Sequence, residues 1–244
     1  MDKPIIKLDK VSKDFLLYKT NMRRFAGLVF GLGNPSRKHA LKDVSMEVKK
    51  GEKILVLGGA EAGCTTLLRV ICGLSNPTSG TVNVNGSIME LIAPNAGLDV
   101  EQNAEENIYL KANVFGIKRD IIKEHFDEIV EFAGLKKFLR VPLKQAPKGL
   151  ANKMALIMYF LQEKDIMLID LNFSTGTLES RDQCRDLIKQ QVEARPDATM
   201  IITSNQQFTF AGSMCDRAIV LEKGKVVFEG SVEESIAEFT EKCK

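Results

Sequence analysis

The segment Gly58-Gly59-Ala60-Glu61-Ala62-Gly63-Cys64-Thr65-Thr66 carries the clearest chemical signal in the chain. Its spacing is that of a phosphate-binding loop, Gly-x-x-x-x-Gly-Lys-Ser/Thr, at every defining position except the lysine. Glycines let the backbone curl until its N–H groups converge on a phosphate, and a helix starting just after the loop adds partial positive charge. The position from which a lysine would reach the outer phosphates is Cys64. Losing that charge-assisted hydrogen bond removes on the order of 1.5–3 kcal/mol. Glu61 then brings a carboxylate into the loop, and a carboxylate ~4 Å from a phosphate charge costs about 4 kcal/mol per charge pair at an effective dielectric near 20. Both changes move charge the wrong way, so triphosphate affinity is expected to fall by several powers of ten. Two readings of Cys64 are open. A thiol at a helix N-terminus can be acidified and reactive, or a small residue can simply fill a vacated site. Cys72, Cys184, Cys215 and Cys243 lack the paired spacing of a metal site, and His39 and His125 stand alone.

Positioning such a loop takes a strand before it and a helix after it. Lys53 to Leu57 is an apolar run fit for a buried strand, and Thr65 to Cys72 a helix stopped by Gly73. Ile6 and Leu8, and later Val44, Met46 and Val48, alternate as half-buried strands. Between them Tyr18 to His39 reads as an irregular basic insertion with interleaved aromatics, either a surface excursion or a docking segment. Thr81 to Val84 before Asn85-Gly86 gives a hairpin signal. Ile122, Phe126, Ile129, Val130 and Ala133 fall on one face of a helix capped by Gly134. Further helices are expected at Gly149 to Gln162, at Glu179 to Glu193 and from Val232. Strands are expected at Asp165 to Ile169 and Ala198 to Thr203, with a closing hairpin across Lys223-Gly224. Strands alternating with helices after a β-rich start predict an α/β core with parallel strands.

The 244 residues suffice for a sizeable core, and 44% hydrophobic with 27% charged residues excludes wholesale disorder. A net charge of +2 argues against a nucleic-acid partner. No apolar run approaches the ~18 residues that cross a bilayer. Met1-Asp2-Lys3-Pro4 carries no apolar signal core, and the irregularly spaced cysteines suit reduced thiols, so a cytoplasmic chain is expected.

Several segments, in order, resemble the ATP-binding subunits of ABC transporters, most closely the group that exports teichoic acids, O-antigens and capsular polysaccharides. They are Val11-Ser12-Lys13-Asp14-Phe15 with its basic insertion, Ala40-Leu41-Lys42-Asp43-Val44-Ser45, the loop itself, and Glu106-Asn107-Ile108-Tyr109-Leu110. Ile169-Asp170 and the pair Cys215-Asp216-Arg217-Ala218-Ile219 and Leu221-Glu222-Lys223-Gly224-Lys225 complete the set. The resemblance covers nearly the whole chain. It implies one nucleotide-binding domain over 1–244: a P-loop NTPase α/β core, a β-rich N-terminal part and a helical subdomain at about 105–158. It further implies ATP held by Gly58 to Thr66 with Phe15 against the base, and Mg²⁺ held by Thr65 and Asp170. The implied partners are a membrane-spanning permease and a second ATP-binding subunit in a dimer, on the inner face of the cell membrane.

The departures from that family pattern fall on its chemistry. Hydrolysis there needs the loop lysine, a glutamate after the strand-end aspartate, a signature serine and a switch histidine. This sequence has Cys64, Leu171, Ala146-Pro147 and Asn205 at those places, and Ala93-Pro94 where a Gln or Glu is usual. Leu171 cannot orient or deprotonate a water. Pro147 removes a donor and a hydroxyl. Asp170 has two roles open to it, a Mg²⁺ ligand or a hydrogen-bond partner that keeps Thr65 in register. The expected function is a catalytically impaired cassette subunit acting as scaffold or regulator beside an active one. The alternatives are an ATP-hydrolysing export subunit that tolerates the changes, and a binding module that reuses the scaffold for another ligand.

Overall fold

The structure, a computed structural model, describes residues 3–18, 35–147, 149–173 and 176–242. The alternating N-terminal segments form a three-stranded antiparallel sheet from β1 (Ile6–Leu17), β2 (Ser36–Val48) and β4 (Ser79–Val84), in the order β2-β1-β4. Pairing of β1 with β2 continues out to Leu17 opposite Ser36. This corrects one expectation: Arg37, Lys38 and His39 lie on a strand, not in an insertion. The remainder of that insertion, residues 19–34, lies outside the described residues.

The larger sheet has six strands in the order β5-β6-β7-β3-β8-β9. These are β3 (Lys53–Leu57), β5 (Ile88–Leu91), β6 (Ile166–Asp170), β7 (Thr199–Ser204), β8 (Arg217–Glu222) and β9 (Lys225–Gly230). All neighbours are parallel except β8 and β9, which form the hairpin expected across Lys223-Gly224. Both faces of the central strands are covered, and this is why they read as unbroken apolar runs. Ile54 and Val56 face α1 (Cys64–Ile71) and the small sheet. Leu55 and Leu57 face α5 (Leu150–Tyr159) and α6 (Leu178–Glu193). At roughly 25 cal/mol per Å² of apolar surface, these two layers supply the main driving force for folding.

The hairpin expected at Asn85-Gly86 does not form. Strand β4 pairs with β1 in the small sheet, whereas β5 runs parallel to β6 in the large one. The turn hands the chain from one sheet to the other. Ser87 fixes the arrival: its N–H and hydroxyl both donate to Asp165 Oδ2, each at 2.7 Å.

A third apolar core belongs to the helices α2 (Ala104–Phe115), α3 (Arg119–Glu124), α4 (Phe126–Ala133) and α5. Helix α2 opens with a capping box between Asn103 and Glu106. The single helix expected through Ile122 and Ala133 is two, broken at His125 with φ −99° and ψ 10°. Ile122 and Ile129 stay fully buried on either side of the break, so the apolar spacing survived while the axis did not. Gly134 caps α4 at φ 70° as expected. Two further helices, α7 (Phe208–Gly212) and α8 (Val232–Lys242), close the far face of the large sheet.

Candidate functional site

Strand β3 delivers the chain to Gly58 at the top of the sheet, and the loop returns it into α1 at Cys64. The glycines are there for space. A Cβ on Gly58 would lie 2.6 Å from Cys64 Sγ and 2.7 Å from Ala62 Cβ. One on Gly63, at φ 110°, would lie 2.5 Å from the carbonyl oxygen of Ala40 on β2. No side chain caps the N-terminus of α1, which leaves its first N–H groups for a ligand. Gly58 to Thr66 and Phe15 together line one cavity of about 520 Å³, within the usual size range of small-molecule pockets. Asn172, Asn205, Leu16 and Leu17 also line it.

Beneath the loop, Thr65 Oγ1 donates to Asp170 Oδ2 at 2.6 Å, and the N–H of Asn172 donates to Asp170 Oδ1 at 3.0 Å. A hydroxyl and a carboxylate in contact are the hard oxygen donors that Mg²⁺ takes. Thr203 sits opposite Asp170 in the β6–β7 register, and its buried Oγ1 has no hydrogen-bond partner. An unsatisfied buried hydroxyl beside this pair is what a missing oxygen-rich ligand would leave. The cradle therefore fits a phosphate and the donor set fits Mg²⁺.

Cys64 takes the second of its two readings. It is buried, its sulfur lies against Gly58, and burial followed by the charge of Asp170 pushes the thiol up to about 12. A thiol so placed stays protonated and fills the vacated space. Leu171 is also buried, packed in the layer with Ile202 and Cys184, so the position after Asp170 presents an alkyl chain. Asn205, at the switch position, donates its backbone N–H to Asn172 Oδ1 at 3.1 Å. Pro147 precedes Gly149, which starts α5 at φ 102°; Lys148 between them lies outside the described residues.

Glu61 does bring its carboxylate to the loop, and the structure adds a counter-charge to it. Lys38, on β2, places Nζ 2.7 Å from Glu61 Oε1. That contact holds the Glu61 carboxyl below its usual range. Sequence reasoning missed Lys38 because it had assigned residue 38 to an insertion. The available signal was the stretch Ser36 to Leu41, which runs into the recognised strand at Val44 without a Gly or Pro. Asn107 was seen only as part of a resemblance. It is fully buried and bonds the loop before α2 at Asp99, Gln102 and Asn103. Lys111, also buried, donates to the carbonyl of Ala96 at 3.0 Å.

A strand–loop–helix phosphate cradle on a parallel sheet, flanked by an antiparallel sheet and a helical block, defines an ATP-binding-cassette fold. The family model for ABC transporters matches residues 41–173, more than half of the chain, and the chain belongs to that family. It is 29% identical over 239 residues to the teichoic acids export ATP-binding protein TagH of Bacillus anthracis, covering 98% of this chain and 43% of TagH. The TagH of Lactococcus lactis is 32% identical over 237 residues, covering 96% and 50%. Against these two relatives the chain spans about half their length. The O-antigen export system ATP-binding protein RfbB of Klebsiella pneumoniae is 27% identical over 242 residues, covering 96% of both chains. Among solved structures, a dimeric ATP-binding cassette in a post-hydrolysis state bound to ADP and Pi superposes with TM-score 0.71 at 18% identity, over 93% of this chain and 98% of that one.

Proposed function

We propose that this chain is a single nucleotide-binding domain, with its helical subdomain at about 105–158, of a polysaccharide or teichoic-acid type exporter, and that it does not hydrolyse ATP. The observation that carries the second half is Leu171: a buried alkyl side chain stands where hydrolysis needs a carboxylate to activate water. Gly58 to Thr66 would hold the phosphates through backbone N–H groups, Phe15 the base, and Thr65 with Asp170 the Mg²⁺. Bound Mg²⁺ would supply charge neutralisation at the phosphates. Asp170 and Thr65 would then exchange their mutual hydrogen bond for the metal, while the N–H of Asn172 keeps the carboxylate aimed.

In the cassette dimer a partner's phosphate loop would face Ala146-Pro147 of this chain, which offers neither a serine hydroxyl nor a donor at the proline. That weakens the partner's site as well, and counts against a power stroke at either site. The scaffold or regulatory role, beside a different ATP-binding subunit and docked on a membrane-spanning permease at the cytoplasmic face, is supported instead by a complete cassette framework whose reactive positions carry Cys64, Leu171 and Asn205. The likeness to TagH and RfbB supports the export setting. The test is to purify the chain with whatever co-purifies from its host membrane and assay ATP turnover. Turnover should vanish when the second ATP-binding subunit loses its loop lysine and persist when this chain carries Asp170→Asn. Recovery of the chain with neither a permease nor a second cassette would contradict the reading.

A further inference from the structure

We propose that Lys38, reaching over from β2, is the phosphate-binding cation of this cavity, and that Glu61 holds it in reserve, so that nucleotide entry and opening of the Lys38–Glu61 ion pair are one event. The inference rests on reading the cavity as a nucleotide site and adds the residue that makes such a site workable without a loop lysine.

Among the described residues lining the cavity, Lys38 is the one cationic side chain. It lies directly across from Phe15 in the β1–β2 register, so the two side chains leave the sheet on the same face. A base against Phe15 would thus have its phosphates running past the ammonium. The backbone fixes this strand to the loop. Ala40, at the register shift two residues on from Lys38, sets its carbonyl against Gly63 and lines the same cavity. The Gly224 N–H donates to the Ala62 carbonyl at 2.9 Å, and the Lys42 N–H donates to the Gly224 carbonyl at 2.8 Å. Loop and strand are therefore one unit, and the ammonium stands over the loop already.

Lys42 and Lys223 line an adjoining cavity that shares Gly59 to Ala62 with this one, and Lys38 is the lysine common to both linings. Lys13 Nζ, over the Phe15 ring, is held by the Asn76 carbonyl at 2.7 Å. Lys53 Nζ is bonded to the Pro196 carbonyl at 2.7 Å, and Arg69 is exposed on the flank of α1, outside the cavity lining. The Lys38–Glu61 pair is itself exposed, 42% and 76% for the two side chains. Exposed ion pairs are weak, so opening this one lowers apparent affinity by only about fivefold or less. A di- or triphosphate, carrying more charge than one carboxylate, outcompetes Glu61 for the ammonium. A nucleoside or a monophosphate, whose charge sits nearer the base, gains less.

The experiment is calorimetric titration of the full chain with Mg-ATP and with AMP, using the native protein, Glu61→Gln, Glu61→Gln/Lys38→Met and Glu61→Gln/Lys38→Met/Cys64→Lys. Working in the Glu61→Gln background keeps a stranded carboxylate from mimicking loss of the cation. Glu61→Gln should bind Mg-ATP more tightly than native, by up to about fivefold, a gain that misfolding cannot produce. Adding Lys38→Met should weaken binding about ten- to hundredfold, with little change for AMP. Adding Cys64→Lys should restore it. Affinity unaffected by Lys38→Met overturns the proposal whatever Glu61→Gln does, and leaves the nucleotide-site reading standing. No gain from Glu61→Gln overturns the reserve role of Glu61. Absence of binding by every variant, including the one with a restored loop lysine, overturns both.

Discussion

At the scale of single residues, the site is defined by two substitutions that differ physically. Cys64 is a neutral filler: a buried thiol whose proton is held up to about 12 by burial and by Asp170. It should resist alkylation by iodoacetamide at pH 8 in the folded protein and react at an ordinary rate in denaturant, read by mass spectrometry of tryptic peptides. Rapid native-state labelling of Cys64 would contradict the assigned environment. Leu171 is a structural replacement. It is 5% exposed and packs with the apolar layer under α6, so Leu171→Glu puts a carboxylate against that layer. We expect a loss of about 1–3 kcal/mol in thermal or urea unfolding. No turnover should appear, because Asn205 and Ala146-Pro147 still lack the groups that position ATP and its products. Both substitutions were visible in the sequence as types at positions. The burial that decides what each does was not visible there.

At the scale of elements, strands whose both faces are covered were the most legible. The strand Lys53–Leu57 matches its expected bounds, and the Lys223-Gly224 hairpin forms where turn chemistry put it. The failures share a cause. Asn85-Gly86 is a good local turn, yet whether a turn joins neighbours depends on where the next strand is buried. Met89 and Leu91, with 0% and 1% exposure, go to the parallel sheet. The break at His125 is likewise invisible to a spacing rule, since both halves keep their apolar faces inward. The loop between β5 and α2 depends on Lys111, whose burial lowers its ammonium to about 8. Between about pH 8 and its ordinary 10.5 the unfolded chain holds a proton at Lys111 that the folded chain has released, so stability from this group rises with pH across that window. Thermal unfolding of native and Lys111→Met proteins from pH 7 to 10 should therefore show the native gaining on the variant as pH rises. The comparison cancels the buried thiols, which act the other way. A difference that is flat in pH would contradict the assigned burial.

At the scale of the whole molecule, the order of segments from Val11 to Lys225 made the fold class readable, because each motif fixes an end of a strand or helix in one architecture. The electrostatics of the site were not readable. Glu61 and Lys38 are 23 residues apart, brought together because Gly224 ties the loop at Ala62 to β2 at Lys42. No local pattern announces such a contact. On the proposed reading, this cassette keeps a cavity, a cradle and a cation, while the buried Leu171 leaves no carboxylate after Asp170 to activate water. The most direct test of that account is steady-state phosphate release from Mg-ATP by the purified chain, with Asp170→Asn as the control. We predict release indistinguishable between the two proteins and at the level of buffer alone. Sustained turnover by the native chain that Asp170→Asn abolishes would contradict it, and would mean that a side chain other than the one at position 171 activates the water.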